Sequence, residues 1–187
     1  MAPYTVRRIV LESYPVLICS ALISFGAGIL LDTQTPGLRA LPLILAMIPP
    51  INGINGNVCS ILGARLGSAL HMGLVEAKLK RQKALKDNLT ATMWMGAGTF
   101  AFAGIIFFLM AITTDMSLLQ SIILICAFFI ASITAVSVTM LCTVLLAFIS
   151  FNKGLDPDNV VIPILTSIGD IVGVACLIMA TKIVFGV

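Results

Sequence analysis

The sequence predicts an all-α integral membrane protein of five transmembrane helices, in a single domain spanning residues 1–187. Three observations predict it. Of the 187 residues, 59% are hydrophobic and only 10% are charged, against about 25% charged in soluble domains, and the mean hydropathy is +1.13. The charged residues bracket long uncharged runs, each close to or beyond the roughly 20 residues that cross a hydrocarbon core of about 30 Å. The basic residues, finally, partition almost completely to one side of a five-span arrangement, as the positive-inside rule requires.

The first span, 13–31, lies between Glu12 and Asp32. It follows Arg7 and Arg8 as the core of a signal peptide would, but no small-x-small cleavage site precedes "DTQTPG", so it is read as a retained helix. The second span, 40–64, is bracketed by Arg39 and Arg65, and the third, 89–112, by Asp87 and Asp115. The fourth, 117–151, is long for one crossing, but no turn divides the run from Asp115 to Lys153, which makes it one long or tilted helix. The fifth, 160–181, lies between Asp158 and Lys182 and is interrupted only by Asp170.

Arg7, Arg8, Arg65, Lys78, Lys80, Arg81, Lys83, Lys86 and Lys153 fall on one side, and only Arg39 and Lys182 on the other. The N-terminus is therefore expected in the cytoplasm and the C-terminus outside. Between spans two and three, "EAKLKRQKALKD" (76–87) is a charged cytoplasmic segment. Glu76 and Lys80 stand at i, i+4, which predicts a short helix there.

Composition also excludes classes. The net charge of +3 is no nucleic-acid signal, because the basic residues sit where topology puts them. Cys19, Cys59, Cys126, Cys142 and Cys176 each lie in a hydrophobic segment, with no CxxC pair, and read as small packing residues. His71 is the only histidine, which argues against a zinc-hydrolase site. An intramembrane aspartyl protease needs two acids within spans, and Asp170 stands alone, so no enzyme is expected.

Two places depart from plain hydrophobic helix. The second span carries Pro49-Pro50 and then Asn52, Gly53, Asn55, Gly56 and Asn57. Proline removes amide donors and glycine lets the backbone leave helical geometry. One reading is a proline kink whose asparagines bond a neighbouring helix. The other is a broken helix lining an ion path, where irregular backbone is tolerated at membrane depth.

The second place is Asp170 itself. An aspartate at the centre of a membrane helix costs roughly 3 kcal/mol on insertion scales, and its default meaning is function. Pro163, Thr166, Asp170 and Gly173 fall at i, i+3, i+7 and i+10, one helical stripe. Gly169 and Gly173 form a G-x-x-x-G pair on it, and Gly63 and Gly67 form another in the second span. A hard divalent cation wants oxygen ligands, and Mg²⁺ keeps several waters while carboxylates hold it through few contacts. One acid per chain matches a charge of +2 poorly. A two-fold homodimer brings two Asp170 side chains together, and a bound cation removes the repulsion between them.

"DPDNVVIPILTSIGDIVG" resembles the last-helix signature of the MgtE family of Mg²⁺ transporters and channels, through Asp156-Pro157, Pro163, Thr166, Asp170 and Gly173. Pro49, Gly56-Asn57 and Arg65 are similar to the family's other signature, and "GARLGSALHMG" is closer to the eukaryotic solute-carrier relatives. The resemblance implies a homodimer with a central pore in which Asp170 of each subunit binds hydrated Mg²⁺. Asn159, Pro163 and Thr166 come with that role as lining or helix-shaping residues. Two departures matter. The resemblance implies cytoplasmic gating modules that have no counterpart before the first span, so a separate regulatory partner or a simpler mechanism is expected. Val58 to Ile61 stand where the bacterial form has a glutamine.

The expected function is transport of divalent cations, Mg²⁺ first, across the cell membrane along a path lined by Asp170. Asn55, Asn57 and Thr166 are the nearby oxygen donors, and no cofactor is expected beyond the ion carried. The alternative is a proton- or sodium-coupled carrier that uses Asp170 as its coupling acid. Mn²⁺ and Co²⁺ remain candidates beside Mg²⁺, whereas oxygen ligands disfavour Zn²⁺. Arg65 reads equally as snorkelling to the interface or as a gating residue. Asp156 and Asp158, flanking Pro157, read as capping a helix start.

Overall fold

The computed structural model describes residues 6–38, 42–114 and 116–185. They form five helices, α1 (Val6–Leu38), α2 (Pro42–His71), α3 (Lys83–Ile112), α4 (Leu118–Asn152) and α5 (Pro157–Phe185), with no strand among the described residues. Arg39, assigned above to the outer side, and Asp115, between the third and fourth spans, lie outside the described residues, as do the side chains of Arg7, Arg8 and Asp158.

Four helices are long and apolar enough to cross a membrane: Ser13–Thr33 within α1, α3, α4, and Asn159–Val184 within α5. α2 is not among them, because its prolines and asparagines dilute its apolar residues. Yet α2 packs against α3, α4 and α5, and Ile44, Met47, Ile51, Asn55, Cys59, Leu62 and Leu66 along it are at most 1% exposed. A helix wrapped by protein need not be as apolar as one facing lipid. α1 is the opposite case, docking on α5 and touching little else.

The chain turns sharply at two glycines with positive φ. At Gly73 and again at Gly154 the backbone sits at φ +70°, where a side chain is disfavoured. After α4, Gly154 N–H donates to Phe151 O and Leu155 N–H to Ser150 O; after α2, Gly73 N–H donates to Leu70 O and Leu74 N–H to Ala69 O. Both are Schellman motifs that satisfy the last carbonyls of their helices. At its other end α4 starts with a capping box, in which Ser117 accepts from Gln120 N–H and Gln120 reaches back to the Ser117 amide.

Two expectations are corrected. α2 is not broken, since its helix runs continuously through Pro49-Pro50; proline's fixed φ is helical, and only two amide donors are lost. Residues 76–82 are not a helix either. Gln82 accepts from the Glu76 N–H (2.7 Å) and donates to the carbonyls of Glu76 and Lys78 (2.9 and 3.0 Å), tying that stretch into a compact turn, and α3 begins only at Lys83. Lys80 still meets Glu76 at 3.6 Å, but across a turn. The long fourth element is one unbroken helix of 35 residues.

The interior is layered. One apolar cluster joins Ile44, Met47 and Ile51 of α2 to Phe100 and Phe107 of α3, Leu124 and Phe128 of α4, and Val174 and Leu177 of α5. A second joins Leu62, Leu66 and Leu70 of α2 to Leu85, Val144, Phe148, Val161 and Leu165. Between them every helix of the bundle core turns polar: Asn55 on α2, Thr92 on α3, Thr139 and Thr143 on α4, and Ser167 and Asp170 on α5.

Candidate functional site

The polar layer is built on the crossing of α2 and α5, which run antiparallel: Asn52 lies against Gly173, and Gly63 against Val161. Small residues set the approach. A methyl group on Gly169 would stand 3.3 Å from Asn55 Nδ2 and 4.0 Å from the backbone of Gly56, so the two helices touch nearly backbone to backbone. A methyl group on Gly173 would collide with the Asn52 side-chain oxygen. The G-x-x-x-G pair of α5 thus packs against the Asn-Gly stretch of α2.

Asp170 sits on this segment, half-buried. Ser24 of α1 donates its hydroxyl to Asp170 Oδ2 at 3.2 Å, which leaves the second carboxylate oxygen without a hydrogen bond among the described residues. Thr166 lies one turn earlier on the same face, exposed, with its hydroxyl donated to Pro163 O at 2.9 Å. Its Cα and Cγ2 pack on Gly56, which brings the next residue, the exposed Asn57, to the same level. Acid and hydroxyl therefore share one face of α5, and Asn57 follows the α2 glycine on which Thr166 packs.

Two of the expected donors stand elsewhere. Asn55 is fully buried and turned to α4, donating Nδ2 to Thr139 Oγ1 at 3.0 Å while its carbonyl oxygen faces Cys59 Sγ at 3.8 Å. Asn159 is in the first turn of α5, about 16 Å along the helix axis from Asp170. Sequence reasoning missed Ser24 altogether; the signal was its pairing with Ser20 at i, i+4 on an otherwise apolar helix. Asn52, named with the other asparagines but not among the expected ion ligands, has its side-chain oxygen buried against α5 with no hydrogen-bond partner.

Among the described residues no group of three His, Cys, Asp or Glu side chains converges as a metal site. One carboxylate surrounded by hydroxyl and amide oxygens cannot strip a divalent ion of its water. It suits an ion that keeps most of its hydration shell. The α2 face beside it is open: Ala46, Pro49, Gly53, Asn57, Arg65 and Ser68 recur at helical spacing and are all exposed, and nothing lies within 4 Å of where a side chain on Gly53 would begin.

A family model described as MgtE, divalent cation transporter, matches residues 48–180, from just before the proline pair of α2 to Ala180 in the last turns of α5. Solute carrier family 41 member 3 of Rattus norvegicus is 25% identical over 177 residues, covering 90% of this chain and 37% of that protein. Solute carrier family 41 member 2 of Gallus gallus is 26% identical over 189 residues, covering 94% of this chain and 33% of that protein. The chain spans about a third of the length of the curated relatives it matches. No solved structure matches it significantly. With four helices apolar enough to span a bilayer, these findings make it a multi-pass membrane protein.

Proposed function

The chain belongs to the MgtE family of divalent cation transporters, and from that premise we propose that it conducts divalent cations, Mg²⁺ first, along a path lined by Asp170 at the axis of a two-fold homodimer. The observation that carries this reading is the half-buried carboxylate of Asp170 beside an exposed α2 face of small and polar residues. Turned to lipid, that face would leave the Asn57 amide in hydrocarbon without a partner, an arrangement that membranes disfavour. Covered by the same face of a second copy, it encloses a polar cleft with two carboxylates across it. Their mutual repulsion is relieved when a cation lies between them, which spares either acid from taking up a proton.

In this reading all five helices cross the bilayer, α2 included, with the N-terminus cytoplasmic. The bound ion remains hydrated, contacting Asp170 directly or through water, while Thr166 and Asn57 supply further oxygens. Asn55 drops from ion ligand to structural brace, and Asn159 lies toward one mouth of the path.

The test is divalent flux into proteoliposomes for wild type, Asp170→Ala and Asp170→Asn, with and without a pH gradient. Flux should fall at least about ten-fold in both variants, the loss of roughly 1.4 kcal/mol or more of ion stabilisation, and should not depend on the gradient. Flux that requires the proton gradient would instead assign a coupled carrier. Undiminished flux in both variants would remove Asp170 from the path.

A further inference from the structure

Away from the α2–α5 crossing, α3 and α4 leave a groove of about 170 Å³ on the outer surface, lined by Met93, Gly96, Ala97 and Phe100 of α3 and Phe129 and Val136 of α4. It is apolar throughout. The hydroxyl of Ser132 at its wall is turned back to Phe128 O at 2.7 Å. Gly96 forms part of its floor, where even a methyl group would reach 3.7 Å from Val136.

The groove does not end in hydrocarbon. On α3, Lys83, Lys86, Thr90, Met93 and Ala97 recur at i, i+3, i+7, i+10 and i+14, one face of the helix, and every one of them is exposed. Met93 lies seven residues, about 10 Å of helix, beyond Lys86. That is on the scale of the headgroup layer, which adds roughly 5–8 Å to each side of the hydrocarbon core. Asn152 Nδ2 donates to Ala77 O at 3.3 Å, which draws the end of α4, with Lys153, toward the same end of the bundle. In the sequence Lys78, Lys80, Arg81, Lys83, Lys86 and Lys153 outnumber Glu76, Asp87, Asp156 and Asp158 there, and Glu76 is already met by Lys78 and Lys80 at 3.8 and 3.6 Å.

We propose that this groove is a binding site for an anionic phospholipid, with its phosphate at Lys83 and Lys86 and one acyl chain laid between α3 and α4 from Met93 to Phe129. Hydrocarbon is what the groove admits, and negative charge is what the basic end above it attracts. The spacing between the two matches the distance from a phosphate to the upper carbons of its own chain. The site is separate from the polar layer and holds whether or not ions pass along Asp170.

Trp94 provides the probe. It is the only tryptophan in the chain, it is 76% exposed, and it adjoins Met93. Bilayers containing phosphatidylglycerol with brominated chains are compared with bilayers containing brominated phosphatidylcholine, reading short-range quenching of Trp94 fluorescence. Wild type should prefer the anionic lipid by about five-fold or more, the attraction of one or two lysines at a membrane surface. Lys83→Gln with Lys86→Gln should remove the preference and leave quenching by phosphatidylcholine unchanged. Ala97→Phe, which fills the groove and keeps both lysines, should lower the preference as well. Equal quenching by the two lipids in wild type overturns the proposal. So does a preference that survives Ala97→Phe, since the headgroup would then be held without its chain.

Discussion

α2 and α3 are both 30 residues long, yet they answer to different solvents. α3 is apolar enough to cross a bilayer and exposes Trp94, Phe102 and Ile105 on its outer face. α2 falls short of that apolarity, packs against three other helices, and carries the asparagines that build the polar layer. Hydropathy records which helix faces lipid. It does not record which helix is inside, because an enclosed helix finds its polar partners in protein. The helix that falls short of a membrane span in apolarity is therefore the one that carries polar side chains into the middle of the bundle.

The contrast breaks most visibly at glycine. Gly169 of α5 meets the backbone of α2 at Gly56, whereas Gly98 of α3 has nothing within 4 Å of where a side chain would start. Gly169→Leu drives a side chain between two touching backbones and should cost about 1–3 kcal/mol or more. Its expected signature is aggregation, or a clear fall in melting temperature of the detergent-solubilised protein on size exclusion. Gly98→Leu should melt with wild type. Equal melting of the two variants would mean that α2 and α5 cross less closely than these distances indicate.

A smaller effect is expected at Ser24, which gives the Asp170 carboxylate a hydroxyl at 3.2 Å. Hydrogen bonds to charged acceptors are worth about 1.5–3 kcal/mol, and this long, half-buried one belongs at the low end. Ser24→Ala should then raise the half-saturating Mg²⁺ concentration for flux about ten-fold without lowering melting, and Ser24→Thr should restore it. If alanine and threonine behave alike, the hydroxyl plays no part in presenting the acid.

The helical architecture was legible because charge is placed by topology. Charged residues of both signs bracket the runs at the heart of the helices, and no turn residue divides the run that became the 35-residue α4. Asp170 stands out in the sequence because an acid in an apolar membrane helix is costly to keep, and the structure sets it half-buried beside Ser24. The misreadings were local. Pro49-Pro50 reads as a break by propensity, but proline's φ suits a helix already held by three neighbours. The Glu76–Lys80 spacing reads as helix, but the Gln82 side chain satisfies that backbone in another way. Ser24 was invisible because its meaning comes from α5, nearly 150 residues away in the chain.

The asparagines are the finest test of the contrast between enclosed and exposed faces. Asn55 and Asn57 stand two residues apart, about 200° around a helix, so they face nearly opposite ways. Asn55 shares its stripe with Ile51, Cys59, Leu62 and Leu66, all buried; Asn57 shares its stripe with Gly53, Arg65 and Ser68, all exposed. The sequence held that distinction in part, since one stripe is apolar and the other is small and polar apart from the exposed Ile61, but both residues offer the same oxygen. The bond from Asn55 to Thr139 joins α2 to α4 in the layer between the two apolar clusters. Side-chain hydrogen bonds between membrane helices average about 0.6 kcal/mol in double-mutant cycles and reach about 1.7. Asn55→Ala and Thr139→Val should each lower thermal stability slightly, and the double variant should lose less than the sum by about that coupling. Asn57→Ala should leave melting unchanged and reduce flux. Were Asn55→Ala to abolish flux at full stability with no coupling to Thr139, the brace would be a ligand, and the ion path would run through the centre of the protomer instead of along its exposed α2 face.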